Sequence, residues 1–216
     1  MRSMTGEEWM VASQLYAFLG NSLLSPMSRT ESVGLDPAFW RELGGLLDGA
    51  LADSAESLAS WAERASADAA RSEVVQRVSV EFTKLFVGPP KPAAAPWESA
   101  NGPVDSHVGF GEATFAMRER LRALGLELCN ENNQYEDHVG IELLYLSELC
   151  RRASEEPSGA AACDAAAPDA EEIASFIREH PLAWVPRLRE KAAASQPEGY
   201  FIRLLDVVLA LLKRQA

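Results

Sequence analysis

The residues best suited to chemistry lie in one run, Tyr135-Glu136-Asp137-His138-Val139-Gly140-Ile141-Glu142-Leu143. The polar stretch Asn130 to Gln134 precedes it and an apolar helical pattern follows, so Asp137 and His138 fall at a helix start. As N-cap, Asp137 would accept backbone N–H bonds from the first turn and meet the positive end of the helix dipole. His138 would then take the first helical position, with Glu142 and Tyr145 further along the same face. Three chemistries fit this spacing. One is a cap followed by a solvated polar stripe. The second is a metal site, and with it a metal-dependent hydrolase using His138 and Glu142. That reading needs a third ligand, and the chain has no HExxH motif or second histidine pair. The third is a site whose carboxylates grip a cationic ligand through charge-assisted hydrogen bonds, for which arginine is the best-shaped partner.

Two further constellations accompany this run. Glu81 to Pro89 carries Phe82, Leu85 and Phe86 and leads into a proline-stiffened strip ending Pro96-Trp97-Glu98-Ser99. Its aromatic residues suit either core packing or the wall of an apolar groove for an extended peptide. His180-Pro181-Leu182-Ala183-Trp184 reads as helix, break and helix, with His180 a hydrogen-bonded helix-end residue. No nucleophile elbow, P-loop, dinucleotide fingerprint or kinase signature is present. The chain is therefore read as a non-enzyme, with no catalytic residue, cofactor or metal assigned.

The elements that position these residues are helical almost throughout. Thr5-Gly6-Glu7-Glu8 is a capping box opening a helix that turns Met10, Leu15, Phe18 and Leu19 inward. Asp36-Pro37 opens a second helix and Asp53 a third. A fourth runs from Ser72 to Phe86 with Val74, Val78, Phe82, Leu85 and Phe86 as its apolar set. Residues 87–110 hold five prolines and keep Trp97 and Phe110, as an ordered functional loop would. Further helices are expected from Glu112 to Ala123 (closed by Gly125), Asp137 to Ala153, Asp169 onward, Trp184 to Ala194, and Glu198 to Lys213. The expectation is a single all-α domain over 1–216, of eight or nine helices with a long proline-rich loop, and a flexible connection at about 154–168.

Composition narrows the function. With 216 residues and 47% hydrophobic content the chain can bury a sizeable core. A net charge of −12 argues against nucleic-acid binding and suits a cationic partner. Three cysteines without CxxC spacing, and no signal-like or membrane-spanning segment, fit a cytoplasmic protein.

In order and spacing, four segments resemble landmarks of the TorD/DmsD family of molybdoenzyme assembly chaperones. They are Leu85-Phe86-Val87-Gly88-Pro89, Pro96-Trp97-Glu98-Ser99, Glu136-Asp137-His138-Val139-Gly140 and His180 through Trp184. The resemblance covers about residues 80 to 190 and implies an all-helical cytoplasmic chaperone. Such a chaperone binds the twin-arginine leader and apoprotein of a molybdopterin oxidoreductase. It delays export until the cofactor is inserted, and contact with the Tat translocase is a further implication. Leader binding would fall on Asp137 and His138, with Glu136 or Glu142 sharing the guanidinium charge and His138 titrating near neutrality. Phe82, Leu85, Phe86, Pro96 and Trp97 would form the adjoining groove. Tyr135 stands where the family usually has proline, and Phe82 where tryptophan is frequent. A delta-type nitrate-reductase assembly factor acting on the apoenzyme core is the alternative, and monomer and homodimer both stay open.

Overall fold

The computed structural model describes residues 4–102, 110–128, 134–155 and 168–216. Cys129, Cys163, Asn130 to Asn133 and most of the connection expected at 154–168 lie outside these residues. Regular structure among the described residues is helical. It comprises α1 (Gly6–Leu24), α2 (Pro37–Gly45), α3 (Gly49–Asp68), α4 (Arg71–Phe82), α5 (Glu112–Ala123), α6 (Val139–Ser154), α7 (Ala170–Glu179), α8 (Pro181–Ser195) and α9 (Tyr200–Gln215). The all-α class is as expected. These elements pack as two compact units: Met1–Leu24 with Trp97–Trp184 and Gln215–Ala216, and Ser25–Pro96 with Val185–Arg214.

In the first unit α1 packs on α6. The capping box forms as the sequence predicts: Glu8 N–H donates to Thr5 Oγ1 at 3.2 Å, and Thr5 N–H donates to Glu8 Oε2 at 2.8 Å. Trp9, Ala12, Tyr16, Leu19 and Leu23 make the buried stripe of α1, while Met10 faces outward, contrary to expectation. The spacing explains it: anchoring the stripe on Trp9 rotates Met10 out of the core. The two helices meet through glycines. A Cβ on Gly140 would lie 2.7 Å from the Gly20 carbonyl oxygen, and one on Gly20 2.8 Å from the Gly140 oxygen, so neither position has room for a side chain.

In the second unit Asp36 caps α2, accepting Ala38 N–H at 2.9 Å, with Pro37 first in the helix. Helix α3 begins at Gly49, ahead of the expected Asp53, because Leu51 belongs to the buried stripe of Leu51, Ala55, Leu58 and Ala62. Helix α4 passes into a π turn over Thr83–Val87 that stops at Gly88, whose φ of 99° favours glycine. Val74, Val78, Phe82, Leu85 and Phe86 are buried as expected. Glu81 then acts at a distance in sequence: its carboxylate accepts Tyr200 N–H at 3.0 Å and Phe201 N–H at 2.9 Å, capping α9. Gly199 makes room for it, since a Cβ there would lie 2.2 Å from Glu81 Oε1.

Candidate functional site

Helix α6 starts one residue later than expected. His138, in extended conformation, is the N-cap, and its Nδ1 accepts Gly140 N–H at 3.0 Å. Asp137 is freed from capping and ties three segments together. Its Oδ2 accepts Ser99 N–H at 2.9 Å, its Oδ1 accepts the Thr114 hydroxyl at 2.9 Å, and its backbone carbonyl accepts Glu98 N–H at 2.9 Å. Thr114 Oγ1 in turn accepts Gly111 N–H at the head of α5. Trp97 and His138 form an isolated antiparallel bridge beside these bonds. One carboxyl group thus joins the loop after Pro96 to the starts of α5 and α6.

The polar stripe expected to be solvated is turned inward. Asp137, His138, Glu142 and Tyr145 are all buried, as are Val139, Leu143, Leu146 and Cys150 on the other faces, so α6 is the central helix of its unit. Trp184 Nε1 donates to Glu142 Oε2 at 3.1 Å, and His180 Nδ1 pairs with Glu98 Oε2 at 3.0 Å. The His180–Trp184 segment therefore supplies two ring nitrogens to one internal acidic cluster, and His180 is the hydrogen-bonded helix-end residue that the sequence predicts. Burial, reinforced by Glu98 and Asp137, raises the Glu142 carboxyl well above the usual range, and only the Trp184 bond opposes this. Burial therefore favours the neutral form of Glu142. Burial also pushes His138 down to about 3, so it stays neutral rather than titrating near pH 7 as expected.

These two groups set opposite pH slopes. His138 has a folded pKa of about 3, below the unfolded value of about 6.5. Its contribution is present above about pH 6.5 and is lost as pH falls toward the folded value. Glu142 has a raised folded pKa, so its contribution is present below the unfolded value of about 4.3 and is lost as pH rises. From these two groups, urea unfolding is expected to show stability lost as pH falls below about 6.5 through His138 and lost as pH rises above about 4.3 through Glu142, each by up to about 1.4 kcal/mol per pH unit. Glu142→Gln should flatten the alkaline side; an unaltered slope there would refute this role.

Glu136 differs from its buried neighbours. Its carboxylate receives Arg118 Nε at 2.6 Å and a second guanidinium nitrogen at 3.2 Å. Burial raises its pKa, but the bonds and charge of Arg118 outweigh burial and hold it below the usual range. Beside this pair the rings of Phe110 and Phe115 lie 5.1 Å apart, those of Phe110 and Tyr135 5.3 Å, and those of Tyr135 and Trp97 6.2 Å. Phe110, Phe115 and Tyr135 are 43%, 50% and 42% exposed, an apolar patch unusual for a surface. Of its members, sequence reasoning singled out Glu136 and Trp97 as site residues and missed Phe115, Arg118 and the buried Thr114. The signal was present in α5, where Thr114, Met117 and Leu121 form the buried stripe and leave Phe115 and Arg118 off it.

The expected groove residues divide between the two units. Phe82, Leu85, Phe86 and Pro96 belong to the second unit, whereas Trp97, Glu136, Asp137, His138 and Glu142 belong to the first. Phe82 and Phe86 pack edge to face at 5.4 Å and Phe86 on Phe201 at 5.2 Å, all buried. A cavity of about 590 Å³ in the second unit is lined by Trp61, Val78, Glu81, Lys84 and Gly199 among others, and by none of the expected groove residues. Among the described residues no three His, Cys, Asp or Glu side chains converge as a metal site would require, and no helix is long and apolar enough to cross a membrane.

The family described as nitrate reductase delta subunit matches residues 46–190. The chaperone protein TorD of Vibrio cholerae is 25% identical over 144 residues, 67% of this chain and 63% of that protein. TorD of Aeromonas salmonicida is 30% identical over 144 residues, 65% of this chain and 61% of that protein. The Tat proofreading chaperone DmsD of Salmonella typhi is 35% identical over 68 residues, 32% of this chain and 33% of that protein. The matched part thus spans less than two thirds of the length of these relatives. The match runs from the end of α2 through the Asp137 junction and the His180–Trp184 segment into α8, and on that ground the chain belongs to the nitrate reductase delta subunit family, among relatives named TorD and DmsD chaperones.

Proposed function

We propose that this chain is a cytoplasmic chaperone for the assembly of a molybdenum-containing oxidoreductase, binding the twin-arginine leader and the apoprotein of its client until the cofactor is in place. Family membership and the names of the relatives, TorD chaperone and Tat proofreading chaperone, support the class. One observation carries the leader-binding part: the buried Asp137 junction holds Glu136 at the edge of an exposed aromatic patch. A carboxylate suits a leader guanidinium, and the rings suit the apolar run that follows it. In this reading Asp137, His138 and Glu142 frame the site from beneath, and Trp97 extends its wall. The resemblance also assigns Phe82, Leu85, Phe86 and Pro96 to the apolar run; since these are buried, opening of that cluster is part of the proposal. The net charge of −12 would speed encounter with a basic leader.

Calorimetry with a synthetic twin-arginine leader tests this directly. Replacing both arginines by lysine is expected to weaken binding about tenfold or more, because lysine cannot make the bidentate contact. Equal affinity for the two peptides would remove arginine recognition from the proposal. The match to a family described as nitrate reductase delta subunit favours a second reading, in which the apoenzyme core is the ligand. Retention of a leaderless apo-oxidoreductase, with no response to the leader peptide, would select it.

A further inference from the structure

Arg118 is bound in the way an arginine from outside would be. Its guanidinium makes two bonds to the Glu136 carboxylate, at 2.6 and 3.2 Å, and lies over the Phe115 ring, 5.6 Å from its centroid. A carboxylate fork with an aromatic face is the pairing that planar guanidinium groups prefer. The pair is shielded but not sealed: the side chains of Arg118 and Glu136 are 34% and 14% exposed. The long stem of Arg118 can carry its charge into solvent. There Glu119 offers a neighbouring charge, and Arg122 also acts on Glu136.

We infer that Arg118 is an internal stand-in for a partner's arginine, occupying a guanidinium site made by Glu136 and Phe115 that a leader arginine takes over by displacing it. The inference rests on the leader-binding reading proposed above and adds a residue that regulates that site. Three features of the first unit carry it. The displaced group and the incoming group are chemically identical, so the site needs no rebuilding on exchange. Partly exposed ion pairs are weakly held, so the exchange is reversible. The exposed rings of Phe110, Phe115 and Tyr135 continue away from the occupied fork, giving the apolar residues after the arginine somewhere to lie. In the free protein Arg118 covers a carboxylate that would otherwise attract any cation. This imposes selectivity, because only a ligand that also gains the aromatic contacts profits from the exchange.

The test is leader affinity measured by calorimetry on the full chain carrying Arg118→Gln, with folding checked by melting temperature. Removing the competitor is expected to tighten binding of the twin-arginine leader about three- to tenfold, with Arg118→Lys intermediate. It should also raise the affinity for a lysine-substituted leader, narrowing the ratio between the two peptides. Glu136→Gln should weaken the twin-arginine leader and abolish the advantage of Arg118→Gln in the double variant. A folded Arg118→Gln protein that binds the leader no tighter than wild type overturns the inference while leaving the leader-binding reading intact. Binding by Arg118→Gln alone would support it as full occlusion, and binding by neither protein would overturn both.

Discussion

Replacing Gly140 with alanine is expected to lower the unfolding free energy by about 3 kcal/mol. The new methyl group would sit 2.7 Å from the Gly20 carbonyl oxygen and 2.6 Å from Leu24 Cγ. The leucine tip can turn away. The carbonyl cannot, because it belongs to the backbone of α1, so α1 and α6 must separate. That separation loosens the packing of Tyr16, Leu19, Leu143 and Leu146, which are buried completely. Intrinsic helix propensity would favour alanine over glycine by about 1 kcal/mol, so the steric loss must exceed that gain to give the expected sign. Gly45 supplies the control. It ends α2, and a methyl group added there would meet nothing within 4 Å, so Gly45→Ala should be neutral or slightly stabilising. Urea unfolding of the two variants checks the pair. A Gly140→Ala protein as stable as wild type would mean that the glycine contact does not set the spacing of these helices.

The second large effect belongs to Asp137. Asp137→Ala should destabilise the protein by about 3 kcal/mol, since it strands the Ser99 N–H and the Thr114 hydroxyl without their acceptor in a buried site. Asp137→Asn is the sharper variant because it keeps the shape. Its amide offers one acceptor oxygen, which Ser99 N–H can keep, and an NH2 group that must face Thr114 Oγ1, which already accepts Gly111 N–H with one of its two lone pairs. Thr114 Oγ1 can accept that N–H on its second lone pair, but its own proton then loses the Asp137 acceptor in a buried site, at a cost of about 1–3 kcal/mol. Loss of leader binding in either variant would follow from disorder in the Trp97–Ser99 segment and the start of α5. Such a loss does not identify Asp137 as the guanidinium partner; Glu136→Gln, which leaves those bonds intact, reports on that. Chemical-shift changes confined to residues near Ser99 and Thr114 in Asp137→Asn would support the frame role. A variant as stable as wild type would refute it.

Local rules account for what is legible in the sequence. The capping box at Thr5, the Asp36-Pro37 start, the Asp169 cap and the Gly125 stop each use partners within a few residues. Each appears where the sequence puts it. The exceptions also have physical causes. Helix α8 begins at Pro181 rather than near Trp184, because proline lacks the N–H that a first helical residue leaves unpaired. Asp137 reads as the cap of α6 because aspartate before an apolar run usually is one. It cedes that place to His138 because Ser99 and Thr114 claim both its oxygens.

The sequence by itself determined the all-α class, most helix limits and the run of residues around which a site could form, because hydrogen bonding along a helix and its caps depends on near neighbours. Tertiary structure alone decided which members of that run face water. Asp137, His138 and Glu142 are buried by partners 23 to 42 positions away, at Thr114, Ser99 and Trp184, and by the close approach of α1 at Gly20. Glu136 is left near the surface with Arg118 and the aromatic rings. A periodic pattern records which residues share a helix face. It does not record how many other elements cover that face, and that cover separates a buried frame from a surface able to meet a ligand.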